Sequence, residues 1–388
     1  MLAAVSVNLV GSLPLFLTGA MAVQIARSMQ VKPTIVAATA SLFAIASMLS
    51  SAPLGRLVGT FGVRRSLQTA TIAGAISLVA AAFSPNLLEL GGALLIAGVA
   101  NGLGQPAGNA LVAGRVSPER FGIGFGIKQS AIPLATTLGG LAVPTIALTL
   151  GWRFAYGFAA MSAVVAFLLI PHDPPAAQQR PEQSVPRSSV IPLWLLASGL
   201  LAAVIAATSI GALGTAGGVH IGLPEATAGY LVAIGGLAGL AVRLLSGLLA
   251  DRHPYNAFLG ICALCLAGAV GWIFMAMDST VWFAIGLIVA NAFGWGWPGL
   301  QHLSMARCFP TATASASGIA QTGIAAGLLV GPAGLAWVTE TAGWTWTWIV
   351  AASCSTLGAA IVFIASRLLP DPDHKQTVIS TALAPKAA

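Results

Sequence analysis

The chain has 388 residues, of which 57% are hydrophobic and only 7% charged, against about 25% charged in an average soluble protein. That balance excludes a soluble fold, which could not keep so much apolar surface from water, and it leaves no room for separate soluble domains. The net charge of +7 does not point to nucleic acid, because Lys and Arg are scattered between apolar runs and form no basic stripe.

From the N-terminus, apolar runs predict membrane-spanning helices at 4–27, 34–56, 66–84, 87–113, 121–148 and 152–170, then at 192–218, 226–250, 256–276, 280–306, 313–339 and 343–367. A bilayer takes about 20 apolar residues per helix, so the chain reads as an all-α integral membrane protein with twelve spans. The first run, Ala3 to Ala26, is too long for a signal-peptide core and no charge precedes it, so it reads as a retained span. The abrupt start at Met1-Leu2 leaves open that residues precede it. The segment from Pro171 to Ser189 is rich in proline and poor in large apolar residues, as a flexible linker is. The polar residues after Arg367 predict a disordered tail. The predicted organisation is a bundle over 1–170, a cytoplasmic linker over 171–191, a second bundle over 192–370 and a tail over 371–388.

The two bundles repeat one unit. An offset of 192 residues pairs Gly19 with Gly211, Gly55 with Gly247, Gly104 with Gly296, Pro106 with Pro298, Pro118 with Pro310, Gln129 with Gln321 and Gly151-Trp152 with Gly343-Trp344. A constant offset near half the length means two copies of one fold, and in a membrane chain this makes a transporter the leading class. The abundant glycines let helices approach closely in lipid, where no hydrophobic force joins them. Pro14, Pro106, Pro133, Pro144, Pro298 and Pro332 each remove a helical hydrogen bond and predict kinks or breaks. Cys262, Cys265, Cys308 and Cys354 fall in or beside apolar segments and read as packing residues. With the N-terminus in the cytoplasm, twelve Lys and Arg fall on the cytoplasmic side and only Arg27, Lys32 and Arg153 outside. The positive-inside rule therefore puts both termini in the cytoplasm of a plasma-membrane protein.

Twelve spans in a six-plus-six repeat, a polar central linker, and the stretch Gly55-Arg56-Leu57-Val58-Gly59-Thr60-Phe61-Gly62-Val63-Arg64-Arg65 after span two resemble the major facilitator superfamily over nearly the whole chain. Gly55, Leu57, Gly62 and Arg64 match that family's cytoplasmic loop motif, while Gly59 and Thr60 stand where Asp and Arg are usual and Val63 replaces a further Arg. The second copy keeps Gly247, Leu249, Asp251 and Arg252. The resemblance implies two pseudo-symmetric six-helix bundles around a central cavity, rocker-switch alternating access, and a loop that latches helices on the cytoplasmic side. Substrate identity does not come with a fold.

The residues that could carry chemistry are charges deep in spans, and there are two, Lys128 in span five and Arg243 in span eight. A charge at such depth costs at least about 2.5–3.5 kcal/mol to insert and should face the bundle interior or water. No carboxylate lies at comparable depth, because Glu89 and Glu340 sit near outer ends and Asp251 reads as a loop residue. Two buried cations without buried anions call for an anionic substrate, since Arg can grip a carboxylate by two parallel bonds and Lys adds a point charge. The bland alternatives are that Lys128 snorkels to headgroups and that Arg243 bonds backbone carbonyls or Asp251. Gln129 and Gln321, Asn101 and Gln105, and Asn291 and Gln301 are polar groups near these depths. Trp295 and Trp297 flank Gly296; residues two apart on a helix do not share a face, so at most one should line a cavity. His220 and His302 read as structural.

The first function is thus a secondary transporter for a small organic or inorganic anion such as a carboxylate. The second is a drug or metabolite exporter with a broad apolar cavity, favoured by the Gly and Ala content and by the mid-span tryptophans. A membrane-embedded sensor or enzyme finds no catalytic constellation. The sequence has no phosphate-binding Gly-x-x-x-x-Gly-Lys-Ser/Thr loop and no paired metal-ligand motif, and Gly122-Ile123-Gly124-Phe125-Gly126 opens a membrane helix without a preceding strand. No cofactor, metal or nucleic acid is expected. The expected partners are the substrate, the bilayer, and a coupling ion or counter-anion, with the chain a monomer.

Overall fold

The computed structural model describes residues 1–117, 120–172, 185–252, 256–310 and 312–370. Most of the predicted linker (173–184), the tail (371–388) and the repeat residue Pro118 lie outside the described residues. Among the described residues all regular structure is helical. The helices are α1 (Leu2–Ala20), α2 (Ala22–Met29), α3 (Pro33–Ala38), α4 (Ala40–Phe61), α5 (Val63–Phe83), α6 (Leu87–Ala113), α7 (Phe121–Gln129), α8 (Ala131–Ala142) and α9 (Trp152–Leu168). After the linker come α10 (Arg187–His220), α11 (Glu225–Arg252), α12 (Ala257–Met275), α13 (Thr280–Gly294), α14 (Pro298–Cys308), α15 (Thr313–Ala342) and α16 (Trp344–Leu368).

Eleven stretches among the described residues are long and apolar enough to cross a membrane. The predicted sixth span falls short of that length: α9 has 17 residues, about 26 Å at 1.5 Å per residue against a hydrocarbon core of roughly 30 Å. The all-α, multi-span membrane fold stands, and the count of twelve full-length spans is not reached.

Four boundaries differ from the sequence reading, each for a local reason. The glycine-rich stretch at 55–61 is helical, because nothing stops α4 until Gly62, whose φ of +81° is open to glycine alone. Gly247, Leu249, Asp251 and Arg252 likewise belong to the last turns of α11, so Asp251 is not a loop residue. Helix α10 begins at Arg187, so the predicted linker gives up its last five residues to the helix. Spans five and ten are each broken, the former between α7 and α8 before Pro133 and the latter between α13 and α14 before Pro298. A π-helical turn at Val143–Ala147 then carries span five past Pro144.

The largest group of packed, buried apolar side chains runs only from Ala3 to Ile170. A second runs from Leu193 to Leu369, and a third, apart from Ala37, from Ala206 to Ala352. Between these regions the backbones meet at glycines. A methyl on Gly19 of α1 would lie 1.7 Å from the carbonyl oxygen of Gly211 on α10. One on Gly140 of α8 would lie 2.6 Å from the Gly229 oxygen of α11. Such spacing leaves no room for a side chain, and it is how small residues let helices pack in lipid.

Candidate functional site

The site begins with the two proline breaks. In an α-helix the carbonyl of residue i accepts from the amide of residue i+4, and proline has no amide hydrogen. Pro133 therefore deprives the Gln129 carbonyl of its partner, and Pro298 deprives that of Gly294. Buried carbonyls must be paired. The Gly294 oxygen accepts from the Trp297 indole N–H at 2.9 Å. The Gln129 oxygen accepts from Nη1 of Arg243, whose Nη2 donates to the carbonyl of Trp295 at the end of α13. One guanidinium on α11 thus ties together the ends of two interrupted helices.

Each helix C-terminus carries about half a negative charge, so the pair offsets roughly the unit charge of Arg243. This is the backbone-carbonyl role for Arg243; no bond to Asp251 accompanies it among the described residues. Arg243 is 1% exposed and Lys128 0%.

Lys128 is in a different position. Its ammonium donates to the side-chain oxygen of Gln105 on α6. Gln105 donates in turn to Asn101 at 3.4 Å, and Asn101 to the Ser47 hydroxyl on α4 at 2.9 Å. These partners are neutral, and no carboxylate contacts Lys128 among the described residues. Snorkelling is ruled out by its complete burial. Lys128, Gln105 and Asn101 are thereby joined into one chain, with Ser47 a member that sequence reasoning missed. A serine in an apolar run carries no distinguishing signal.

Gln129 bonds to His302 of α14, Nε2 to Nε2, at 2.8 Å, and His302 stacks on Phe125 with ring centroids 5.5 Å apart. The repeat mate Gln321 does not join them; it is exposed on α15. Asn291 donates to the Val232 carbonyl at 3.4 Å, a helix-to-helix bond. Gln301 is fully buried beside His302 with neither amide atom paired among the described residues.

A pocket lies between the two regions. It is lined by Leu15, Phe16, Ala40, Phe43 and Ala44 from one and by Thr208, Gly211, Ala212, Trp295, Leu328 and Pro332 from the other. The lining is almost wholly apolar, and the Thr208 hydroxyl is already bonded to the Ile205 carbonyl at 2.8 Å. Trp295 faces this pocket, whereas Trp297 is fully buried in the core. Their rings stack at 6.2 Å, which an unbroken helix would forbid for residues two apart; the break before Pro298 permits it.

The two ends of the molecule are held differently. At one end Arg27 and Gln24 donate to Glu225, and Lys32 and Thr34 donate to Glu340. At the other, the Asp251 carboxylate accepts from the backbone amides of Gly122 at 2.9 Å and Ile123 at 2.7 Å. These are first-turn amides of α7, which have no helical partner of their own. Gly122 and Gly247 make room for that approach: a methyl on Gly247 would lie 2.7 Å from the Gly122 oxygen.

The first copy of the motif has no counterpart among the described residues. Among the described residues Thr60 bonds only its own helix, to Leu57 O at 3.1 Å, Leu57 and Leu249 are exposed, and α15 starts without a side-chain cap. A methyl on Gly55 would lie 3.8 Å from Pro106, and Arg64 and Arg252 make no carboxylate contact among the described residues. No cluster of His, Cys, Asp or Glu suited to a metal occurs among the described residues.

The chain is 32% identical over 208 residues to an uncharacterized MFS-type transporter of Mycobacterium tuberculosis, covering 51% of this chain and 46% of the relative. It is 25% identical over 222 residues to the Multidrug resistance protein B homolog of the same organism, covering 56% of this chain and 38% of the relative. The chain thus spans less than half the length of the curated relatives it matches. The model of one family, the Major Facilitator Superfamily, matches residues 4–322, far more than half of the sequence. The chain belongs to the Major Facilitator Superfamily.

Proposed function

We propose that the protein is a secondary transporter that carries a small organic anion, a carboxylate, across the cytoplasmic membrane. In this reading α9 is the sixth of twelve spans, residues 1–170 and 192–370 form two six-helix halves joined by a cytoplasmic linker, and both termini face the cytoplasm. The halves rock about the contacts near Arg243, so that access alternates between the end held by Glu225 and Glu340 and the end held by Asp251. Gly55, Leu57, Gly62, Arg64, Gly247, Leu249, Asp251 and Arg252 serve at the cytoplasmic end. A coupling ion or counter-anion completes the cycle, and the chain works as a monomer.

The observation that carries the reading is the asymmetry of the two cations. Arg243 is matched by two helix ends, while Lys128 is wholly buried with only neutral partners. Leaving a lone charge in such a place is costly unless something of opposite sign visits it. Gln105, Asn101 and Gln129 orient the cation and its surroundings, and Trp295 and the apolar pocket receive the body of the substrate.

The test is thermal stability of the purified protein against carboxylates, inorganic anions and lipophilic cations. A ligand present at 100 times its Kd adds about 2.7 kcal/mol to a state that alone binds it. Stabilisation by a carboxylate, abolished in Lys128→Met, is the expected result.

A second reading, efflux of apolar drugs, is favoured by the nearly uncharged pocket around Phe16, Phe43 and Trp295, and by the likeness to a protein named for multidrug resistance. Stabilisation by lipophilic cations alone, unchanged in Lys128→Met, would establish it in place of the first.

A further inference from the structure

We propose that Asn8 on α1 forms, with Lys128, a subsite for a 2-hydroxycarboxylate; this rests on the anion reading above and narrows it. Asn8 is 3% exposed, and neither its amide oxygen nor its amide nitrogen has a hydrogen-bond partner among the described residues. Buried amides are almost always paired, so one left open on both atoms in the middle of a packed span marks a place where something else bonds.

Its position says what. The amide oxygen lies 3.6 Å from where a side chain on Gly104 of α6 would begin, and the amide nitrogen 3.4 Å from the same point on Gly108. Lys128 Cε lies 3.3 Å from that point on Gly108. The open amide and the end of the buried lysine therefore converge over Gly108, one helical turn beyond Gly104. Gln105, between the two glycines, accepts from the ammonium. An ammonium has three donors and Gln105 takes one, so donors remain.

The chemistry follows from the two kinds of atom offered. Lys128 and Asn8 Nδ2 are donors and suit carboxylate oxygens. Asn8 Oδ1 is an acceptor, which a plain carboxylate cannot satisfy. A hydroxyl on the carbon next to the carboxylate places a donor one bond-pair away from the acceptors, at the separation of the two amide atoms. Sites built to bond a hydroxyl reject analogues that lack it, because the site's own polar atom is then stranded.

The experiment measures Kd by thermal-shift titration of the full-length purified chain with two matched pairs, lactate against propionate and mandelate against phenylacetate. The expected result is a preference of at least about tenfold for the hydroxy acid in one pair. Asn8→Leu should erase that preference without lowering the melting temperature of the ligand-free protein, because no hydrogen bond within the fold is lost. Lys128→Met should remove binding of both members. As a second variant, Gly108→Ala puts a methyl against both Asn8 and Lys128 and should weaken both acids about tenfold.

Equal affinity within each pair, a preference that survives Asn8→Leu, or unchanged binding in Gly108→Ala overturns the subsite while the anion reading stands. If none of the four acids binds the wild-type chain, the subsite falls; if no anion of the wider panel binds either, the anion reading falls with it.

Discussion

Asp251 caps the helix that begins at Phe121 by accepting from the amide of Gly122, although the two residues are 129 positions apart. A carboxylate at a helix start satisfies orphan amides and meets the positive end of the helix dipole. Removing it should therefore loosen one end of the molecule only. Asp251→Ala is expected to cost about 0.5–2 kcal/mol, the usual worth of such a cap, seen as a lower melting temperature. A cysteine at Ile123 should become reactive in that background. Asp251→Asn, which keeps one acceptor, should lie between.

The cations make opposite predictions when neutralised without ligand. Arg243→Met strands the carbonyls of Gln129 and Trp295, each at about 1–3 kcal/mol, and should melt well below wild type. Arg243→Lys should restore little, since a point charge cannot bridge two carbonyls as a planar fork does. Lys128→Met removes a charge with no opposite partner and should melt at or above wild type. Melting curves in one detergent read all three.

Gly19 and Gly211 give a packing test. A methyl on Gly19 would overlap the Gly211 oxygen at 1.7 Å, so Gly19→Ala must push α1 and α10 apart. Overpacking of this kind costs about 1–3 kcal/mol, and Gly19→Val should cost more. Gly62→Ala, by contrast, meets no neighbouring atom, and its cost should come only from its positive φ.

The ion pairs at the other end are exposed on the cationic side, with Arg27 68% and Lys32 67% accessible. Exposed pairs are worth about 0–1 kcal/mol and weaken with salt. The double variant Glu225→Gln/Glu340→Gln should hardly change the melting temperature. It should raise the labelling of a cysteine placed at Thr208 in the pocket, and high salt should raise wild-type labelling toward the same level.

Much of the framework was readable from spacing. The 192-residue offset matched Gly151 with Gly343, and both begin a helix with positive φ, at 103° and 92°. It matched Gly19 with Gly211, and these mates touch each other. It also matched Gln129 with Gln321, yet the mates have different surroundings: Gln129 is buried against His302, while Gln321 is exposed on α15, two turns before the pocket residue Leu328.

The second span was read too short, since glycines at 55 and 59 are tolerated inside a helix and only Gly62 needs a backbone other residues avoid. Pro133 and Pro298 announced two breaks. Which groups would close the freed carbonyls, Arg243 from one helix and an indole from the next turn, depends on tertiary proximity that spacing does not contain. Asn8 was passed over because a single amide in an apolar run looks like any buried, paired amide until its surroundings are known.

Pro106 and Pro298 stand at equivalent places in the two repeats, yet α6 runs unbroken through the first while the second starts a new helix. The two repeats are therefore not interchangeable. A chimera built from two copies of residues 1–170 would carry Lys128 twice, no guanidinium at the helix junction and no Asp251. It would inherit the shape of the parent and neither the brace at its centre nor the clasp at its end. The 192-residue offset repeats spacing, and among the described residues the brace at Arg243 and the cap at Asp251 occur in the second repeat alone.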